Sequence, residues 1–224
     1  MTEIKWVPAE TSWVDEDIHN SQRTYINKPD VFWATEITNP CLRSAFYERK
    51  YGKPSTTDNL RVYNAGKVLE SWWINLLERG KDINIIRTNM PCRHINPFYR
   101  IHGRADAVIQ NNYGQLEVHE VKTIKCFGSF LEEPKPEHVN QLQFYLNVLG
   151  VDTGYIDYIN KQTFINGSSS IDKRFKIKRD PRIYKRIIRR AHSFFGSLLV
   201  DIPPLKEPCW KCQGFCQYCM KSHK

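Results

Sequence analysis

The chain has 224 residues, of which 41% are hydrophobic, 12% aromatic and 25% charged. This composition supplies one sizeable core and argues against a disordered or fibrous chain. Its 33 Lys and Arg exceed its 24 Asp and Glu, a formal charge of +9 that favours a polyanionic partner. No apolar run approaches the roughly 20 residues needed to cross a bilayer, and Met1 to Trp6 lack the charged-then-apolar pattern of a secretory leader. A cytoplasmic protein, neither secreted nor membrane-bound, is expected.

Residues 1–35 scatter Trp6, Trp13, Tyr25, Phe32 and Trp33 without a period and predict loops and short elements. A helix is predicted from Pro40, a first-turn proline, through Cys41, Leu42, Ala45, Phe46 and Tyr47 to Gly52. A longer one starts at Asp58 as N-cap, carries Leu60, Tyr63, Val68, Leu69, Trp72, Trp73, Leu76 and Leu77, and stops at Gly80. The period then changes. Ile85–Ile95, Tyr99–Gln110 and Gln115–Ile124, parted by Asn96-Pro97 and by Asn111 to Gly114, read as an antiparallel meander.

Pro136 opens a helix whose Val139, Leu142, Leu146 and Leu149 recur at helical spacing before Gly150. Two strands follow, Gly154–Ile159 and Ser170–Lys178, joined by a loop containing Asn166-Gly167-Ser168. Asp180-Pro181 starts an amphipathic helix with Tyr184, Ile187, Ile188, Ala191, Phe195 and Leu198 on one stripe, and Pro203-Pro204 halts the chain's regular structure. The order implies an α/β fold, a mixed central sheet flanked by helices. Three regions are expected: 1–57, helical and loop-rich; 58–202, the core; and 203–224, a cysteine-rich tail.

Four of seven cysteines, Cys209, Cys212, Cys216 and Cys219, fall in this tail. In a chain without a leader, such crowding points to metal or cluster ligation rather than disulfides. Cys92 and Cys126 stand alone and read as ordinary semi-buried thiols.

The last meander strand places Glu120 and Lys122 on one face, and hairpin pairing brings Asp106 of Gly103-Arg104-Ala105-Asp106 beside Glu120. Adjacent carboxylates repel unless a cation lies between them, and an all-oxygen pair suits Mg²⁺ or Mn²⁺. A lysine two residues on can lower the pKa of a bound water or hold the attacked phosphate, so the implied chemistry is metal-assisted phosphodiester hydrolysis. Singly these signals are weak: Glu-x-Lys recurs at Glu3/Lys5, Glu48/Lys50 and Glu133/Lys135, and Gly-x-x-Asp at Gly154/Asp157. Their order is what is specific, because the Glu-x-Lys strand is followed by a helix with Gln141 and Tyr145, the one Gln/Tyr pair at that spacing.

That ordered set resembles the PD-(D/E)XK nucleases of the RecB-like exonuclease type, in particular the CRISPR-associated and viral members with a four-cysteine iron–sulfur cluster. The resemblance runs over roughly residues 37–219, through Cys41-Leu42-Arg43, the Gly66 to Glu70 helix, Asp106, Glu120-x-Lys122, Gln141/Tyr145 and the terminal cysteines. It implies that Asp106 and Glu120 bind Mg²⁺ or Mn²⁺ with the Val121 carbonyl, that Lys122 positions the attacking water, and that Gln141 and Tyr145 help hold the DNA strand. It also implies a structural [4Fe-4S] cluster joining the tail to the N-terminal helical region.

Two positions depart from the family pattern. Glu70 stands where the family usually has a histidine; as a carboxylate it can still ligate the metal, and Trp73 and Leu77 on its side imply burial rather than a surface acid. The cysteines number one too many: Cys41, Cys209, Cys212 and Cys219 match best, with Cys216 as the alternative ligand. Such a site fits Zn²⁺ equally, with ligands drawn from the thiolates of Cys209, Cys212, Cys216 and Cys219 or from His223. Cys212, Cys216 and Cys219 also copy the radical-SAM spacing, but no long barrel follows.

His138 shares a helix face with Gln141 and Tyr145 and reads either as a phosphate contact or as a surface histidine; His102 and His119 receive no role. Between Ile171 and His192, Lys173, Arg174, Lys176, Lys178, Arg179, Arg182, Lys185, Arg186, Arg189 and Arg190 face only Asp172 and Asp180. Such a run is either a solvated face or a DNA-tracking groove. The expected function is a DNA exonuclease, alone or with endonuclease activity as well, on single strands or free ends, with protein partners in CRISPR adaptation, recombination or viral replication. The alternative is a non-catalytic nucleic-acid binder with a zinc-binding tail; a zinc-dependent transcription factor has no recognition helix to support it.

Overall fold

The computed structural model describes residue 28 and residues 30–52, 57–80, 83–124, 132–161 and 172–206. Strand β1 (Val31–Trp33) leads into helices α1 (Ala34–Ile37), α2 (Leu42–Tyr51) and α3 (Thr57–Glu78). Strands β2 (Ile83–Ile95), β3 (Arg100–Asn111) and β4 (Leu116–Ile124) follow, then helix α4 (Pro136–Leu149), strands β5 (Thr153–Asn160) and β6 (Asp172–Lys178), and helix α5 (Pro181–Leu199). No helix among the described residues is long and apolar enough to cross a membrane.

Two expected helix starts shift. Cys41, not Pro40, borders α2: its backbone is extended, and its Sγ accepts the Ser44 N–H at 3.4 Å. Asp58 lies inside the first turn of α3 rather than ahead of it. Asp180 does cap α5 as its sequence suggests, its carboxylate accepting the Arg182 N–H at 2.8 Å.

Strand β3 organises the sheet because three strands pair with it. Along one edge β2 runs antiparallel, from Ile83 opposite Asn111 to Ile95 opposite Arg100. The other edge is divided: β4 pairs antiparallel over Ala107–Gln110, and β1 pairs parallel over Arg100–His102. The meander is therefore present. Beyond it, β5 lies parallel to β4, and β6 antiparallel to β5. A parallel neighbour requires a crossover, which α4 supplies.

Helices cover both faces of this mixed sheet. On one, Ile101, Ala105, Val118, Ile156 and Tyr158 pack with Leu142, Phe144 and Leu146 of α4 and with Ile187, Ala191 and Phe194 of α5. Phe32, Ala34, Ile37, Leu42, Ala45 and Phe46 join that core. Arg49 secures this end, donating to the carbonyls of Lys28 and Val31 and pairing with Glu36 at 2.8 Å. On the other face, Leu69, Trp73 and Leu77 of α3 meet Val121 and Ile159. This second cluster is small, so Tyr63, Val68 and Leu76 of the expected α3 stripe are exposed.

Helix α4 can lie close to the sheet because β5 carries Gly154. A Cβ there would stand 2.7 Å from the Val118 carbonyl oxygen and 3.0 and 3.1 Å from Leu142 and Leu146 side-chain carbons. Gly154→Ala is expected to cost about 1–3 kcal/mol, read as a lower denaturant midpoint at unchanged slope. An unshifted midpoint would contradict this packing.

Candidate active site

Past Ala107 and His119, β3 and β4 no longer pair. Asp106 and Glu120 are consequently not ladder partners as the hairpin reading supposed. Instead, the Asp106 carboxylate enters the fork and accepts the Val121 backbone N–H at 2.8 Å. A main-chain donor lost from the ladder is thus satisfied by a side chain.

Glu120, the next residue outward on β4, is 1% exposed and Asp106 is 7% exposed. Glu120 Oε1 accepts from Lys122 Nζ at 2.5 Å and from Gln141 Nε2 at 2.7 Å. The same Gln141 nitrogen donates to the Tyr145 hydroxyl at 2.8 Å, so one of its protons ties α4 to β4 and the other fixes Tyr145 within α4. Tyr145 reaches the fork across Gly103: a Cβ at residue 103 would lie 2.5 Å from the Tyr145 ring. The glycine of the Gly-x-x-Asp motif is required by close approach rather than by a turn.

Five expected site residues, Asp106, Glu120, Lys122, Gln141 and Tyr145, therefore belong to one cluster. Glu70 of α3 is half-buried and pairs with Lys67 at 2.7 Å, while its charge is felt at Asp106, Glu120 and Lys122. Among the described residues no three His, Cys, Asp or Glu side chains converge into a metal-binding group. Lys122 bonds one oxygen of Glu120, and Lys67 pairs with Glu70. The donor chemistry nevertheless fits a hard cation: the acids present only oxygen, and Glu120 Oε2 is buried with no hydrogen-bond partner.

The expected cluster ligands divide. Cys41 is fully buried at the start of α2; Cys209, Cys212, Cys216, Cys219 and His223, like Cys126, lie outside the described residues. Cys92 is fully buried, and burial pushes its thiol up to about 12, which leaves it unreactive.

The basic run is spread over β6 and α5. Arg174, Arg179 and Arg182 pair with Asp157, Asp152 and Asp180, and Arg186 and Arg190 donate to Asn140 and to the Asn39 carbonyl. Lys173 lies over the Phe175 ring. Lys176, Lys178, Lys185 and Arg189 are exposed.

Sequence reasoning missed a second buried network. His119 Nδ1 lies 2.7 Å from Asp157, which accepts from Arg174 Nε at 2.6 Å. Burial alone would raise the Asp157 carboxyl, but His119 and Arg174 outweigh it and hold the pKa low. The alternation that put His119 opposite Glu120 signalled a different face, but nothing in the sequence marked Asp157 as its partner.

No family model matches the chain. Over 146 residues it is 27% identical to the CRISPR-associated exonuclease Cas4 of Saccharolobus solfataricus, a stretch covering 61% of this chain and 66% of that protein. The chain thus spans just under two thirds of that relative. Among solved structures it resembles SSO0001, with a TM-score of 0.64 and 21% identity over 91% of both chains. It also resembles LHK-Exo, an alkaline exonuclease from Laribacter hongkongensis, with a TM-score of 0.55 and 12% identity over 77% of this chain and 89% of that one.

Burial, then the charges of Glu120 and Glu70, raises the Asp106 carboxyl well above the usual range despite Lys122. Burial would lower Lys122, but Glu120 and Asp106 outweigh it and keep the amine protonated. The folded state therefore binds the Asp106 proton more tightly than the unfolded chain. Without divalent cation, this residue lowers stability as pH rises from about 4, the unfolded carboxylate value. In EDTA at neutral pH, Asp106→Asn is expected to unfold at a higher denaturant midpoint than the wild type, by about 1–2 kcal/mol. A lower midpoint in EDTA would refute the raised carboxyl.

Proposed function

We propose that the chain is a RecB-like nuclease of the PD-(D/E)XK superfamily, a Mg²⁺- or Mn²⁺-dependent DNA exonuclease acting on single strands or free ends; its fold, its 27% identity to an exonuclease and the order of its candidate site residues support this reading. The observation that carries this reading is the buried Glu120 carboxylate with one oxygen unpartnered beside buried Asp106. Placing two acids in so dry a fork is costly unless a cation answers them. The 27% identity to an exonuclease supports the reaction class.

In this reading Asp106, Glu120 and the Val121 carbonyl hold the cation, with Glu70 contributing from α3. When bound, the ion neutralises the acids and polarises the phosphodiester. Lys122 remains charged at neutral pH and, anchored by Glu120, faces the attacked phosphate and orients the water. Gln141 fixes both Glu120 and Tyr145 and so sets the wall along which the strand lies. Lys173, Arg174, Lys176, Lys178, Arg179, Lys185, Arg186, Arg189 and Arg190 form the phosphate-facing surface, the exposed lysines contributing most and Arg174 also serving the fold. CRISPR adaptation, recombination and viral replication all suit such an enzyme.

A [4Fe-4S] cluster on Cys41, Cys209, Cys212 and Cys219, with Cys216 as the alternative ligand, belongs to the same proposal. It would close residues 203–224 onto 1–57 around the 58–202 core. Supporting it, Lys50 pairs with Asp201 at 2.5 Å, so the chain beyond α5 returns to α2, the helix that Cys41 opens.

End-labelled single- and double-stranded DNA incubated with anaerobically purified protein and Mn²⁺, Mg²⁺ or EDTA tests the reaction. Cleavage should require metal and fall at least about 100-fold in Asp106→Ala and Lys122→Ala. DNA binding without cleavage by the wild type would favour a binding module instead. For the cluster, Cys209→Ala and Cys212→Ala should lose brown colour and thermal stability together. A colourless variant of unchanged melting temperature, or zinc without acid-labile sulfide in the wild type, would remove the cluster.

A further inference from the structure

Helix α4 carries three polar side chains at i, i+3 and i+7: His138, Gln141 and Tyr145. The last two meet Glu120 and one another, which leaves His138 to be explained. Its Nδ1 stands 2.7 Å from the Tyr158 hydroxyl, and that oxygen accepts the Lys135 backbone N–H at 3.0 Å. Tyr158 is fully buried on β5, and burial pushes its phenol up to about 12, so the hydroxyl keeps its hydrogen.

These contacts favour one tautomer, the one that gives the Tyr158 hydrogen an acceptor. With the Lys135 N–H directed at the hydroxyl oxygen, the Tyr158 hydrogen is the one left to give, and Nδ1 accepts it. Burial, followed by the charges of Lys122 and Lys135, holds the His138 pKa down to about 3, so the ring is neutral. A neutral imidazole has one N–H, which must then lie on Nε2. No hydrogen bond engages Nε2 among the described residues. Histidine is only half-buried at this position, within the electrostatic reach of Lys122 and on the helix face that borders the fork.

We propose that His138 is a phosphate-binding residue that donates its Nε2–H to a non-bridging oxygen of the DNA backbone beside the phosphate faced by Lys122, and that Tyr158 is its positioning residue, acting by fixing the tautomer. The assignment rests on the nuclease reading above. A neutral donor suits this place: it adds no second charge next to Lys122 and its protonation is constant over the working pH range.

The test compares His138→Leu, His138→Gln and Tyr158→Phe with the wild type. Binding of a fluorescent single-stranded oligonucleotide is measured in EDTA, and steady-state cleavage with Mn²⁺. Loss of one hydrogen bond to a charged oxygen predicts about tenfold weaker binding and a higher KM for His138→Leu with kcat little changed. His138→Gln, which keeps an N–H near the same place, should recover most of the loss. Tyr158→Phe should lose less than His138→Leu, because its imidazole can still adopt the donor tautomer part of the time. An oligonucleotide with uncharged methylphosphonates should erase the difference between wild type and His138→Leu. A wild type that cuts DNA while His138→Leu binds it equally well overturns the assignment and leaves the nuclease reading intact. So does a His138→Gln chain that melts like the wild type yet binds no better than His138→Leu. A wild type that neither binds nor cuts overturns both.

Discussion

Where β3 and β4 part, the Val121 N–H bonds to Asp106 rather than to a strand, and the remaining architecture can be read as support for that replacement. A fork inside a sheet exposes main-chain groups that must find partners. β2 backs β3 along its length, β1 takes the edge that β4 vacates, and parallel β5 holds β4 straight through the fork. Helix α4 then closes over the gap, with Tyr145 against Gly103 and Gln141 against Glu120. Each of these elements restrains a strand end that would otherwise collapse or fray.

The fork is also where the molecule is least comfortable. Asp106 and Glu120 are buried together, and Lys122 compensates only one oxygen of Glu120. A buried acid pair of this kind destabilises the fold until positive charge answers it. Functional sites often trade stability for chemistry in this way. The opposite face shows the contrasting solution: Asp157, fully buried, has both His119 and Arg174 and is held ionised. One buried carboxylate is a structural tie between β4, β5 and β6. The other two lack such compensation, and one oxygen of Glu120 has no hydrogen-bond partner.

That tie alters the meaning of the basic run. From the sequence Arg174 was one of ten equivalent cations; in the fold its guanidinium holds Asp157 and lies over the rings of Tyr155 and Trp73. Residues with the same charge and spacing thus serve different ends on β6 and α5, according to which acid the tertiary structure puts within reach.

What the sequence determined by itself was local or periodic. The meander, α4 with its Gln141 and Tyr145, the Asp180 start of α5 and the α/β order all follow from hydrophobic period and from Gly and Pro punctuation, which act over a few residues. The candidate site residues were legible as a set because their order along the chain is specific, even though each pair alone is common. Tertiary structure decided the rest. The parallel pairing of β5 with β4, the divided edge of β3, and the Asp106 bond to Val121 in place of a ladder contact with Glu120 all depend on groups far apart in sequence. So do the union of His119, Asp157 and Arg174 and the tautomer that Tyr158 favours in His138. No local pattern encodes them, because a hydrogen bond is chosen by what the fold brings within about 3 Å, and that choice is made only when the sheet and its helices have closed.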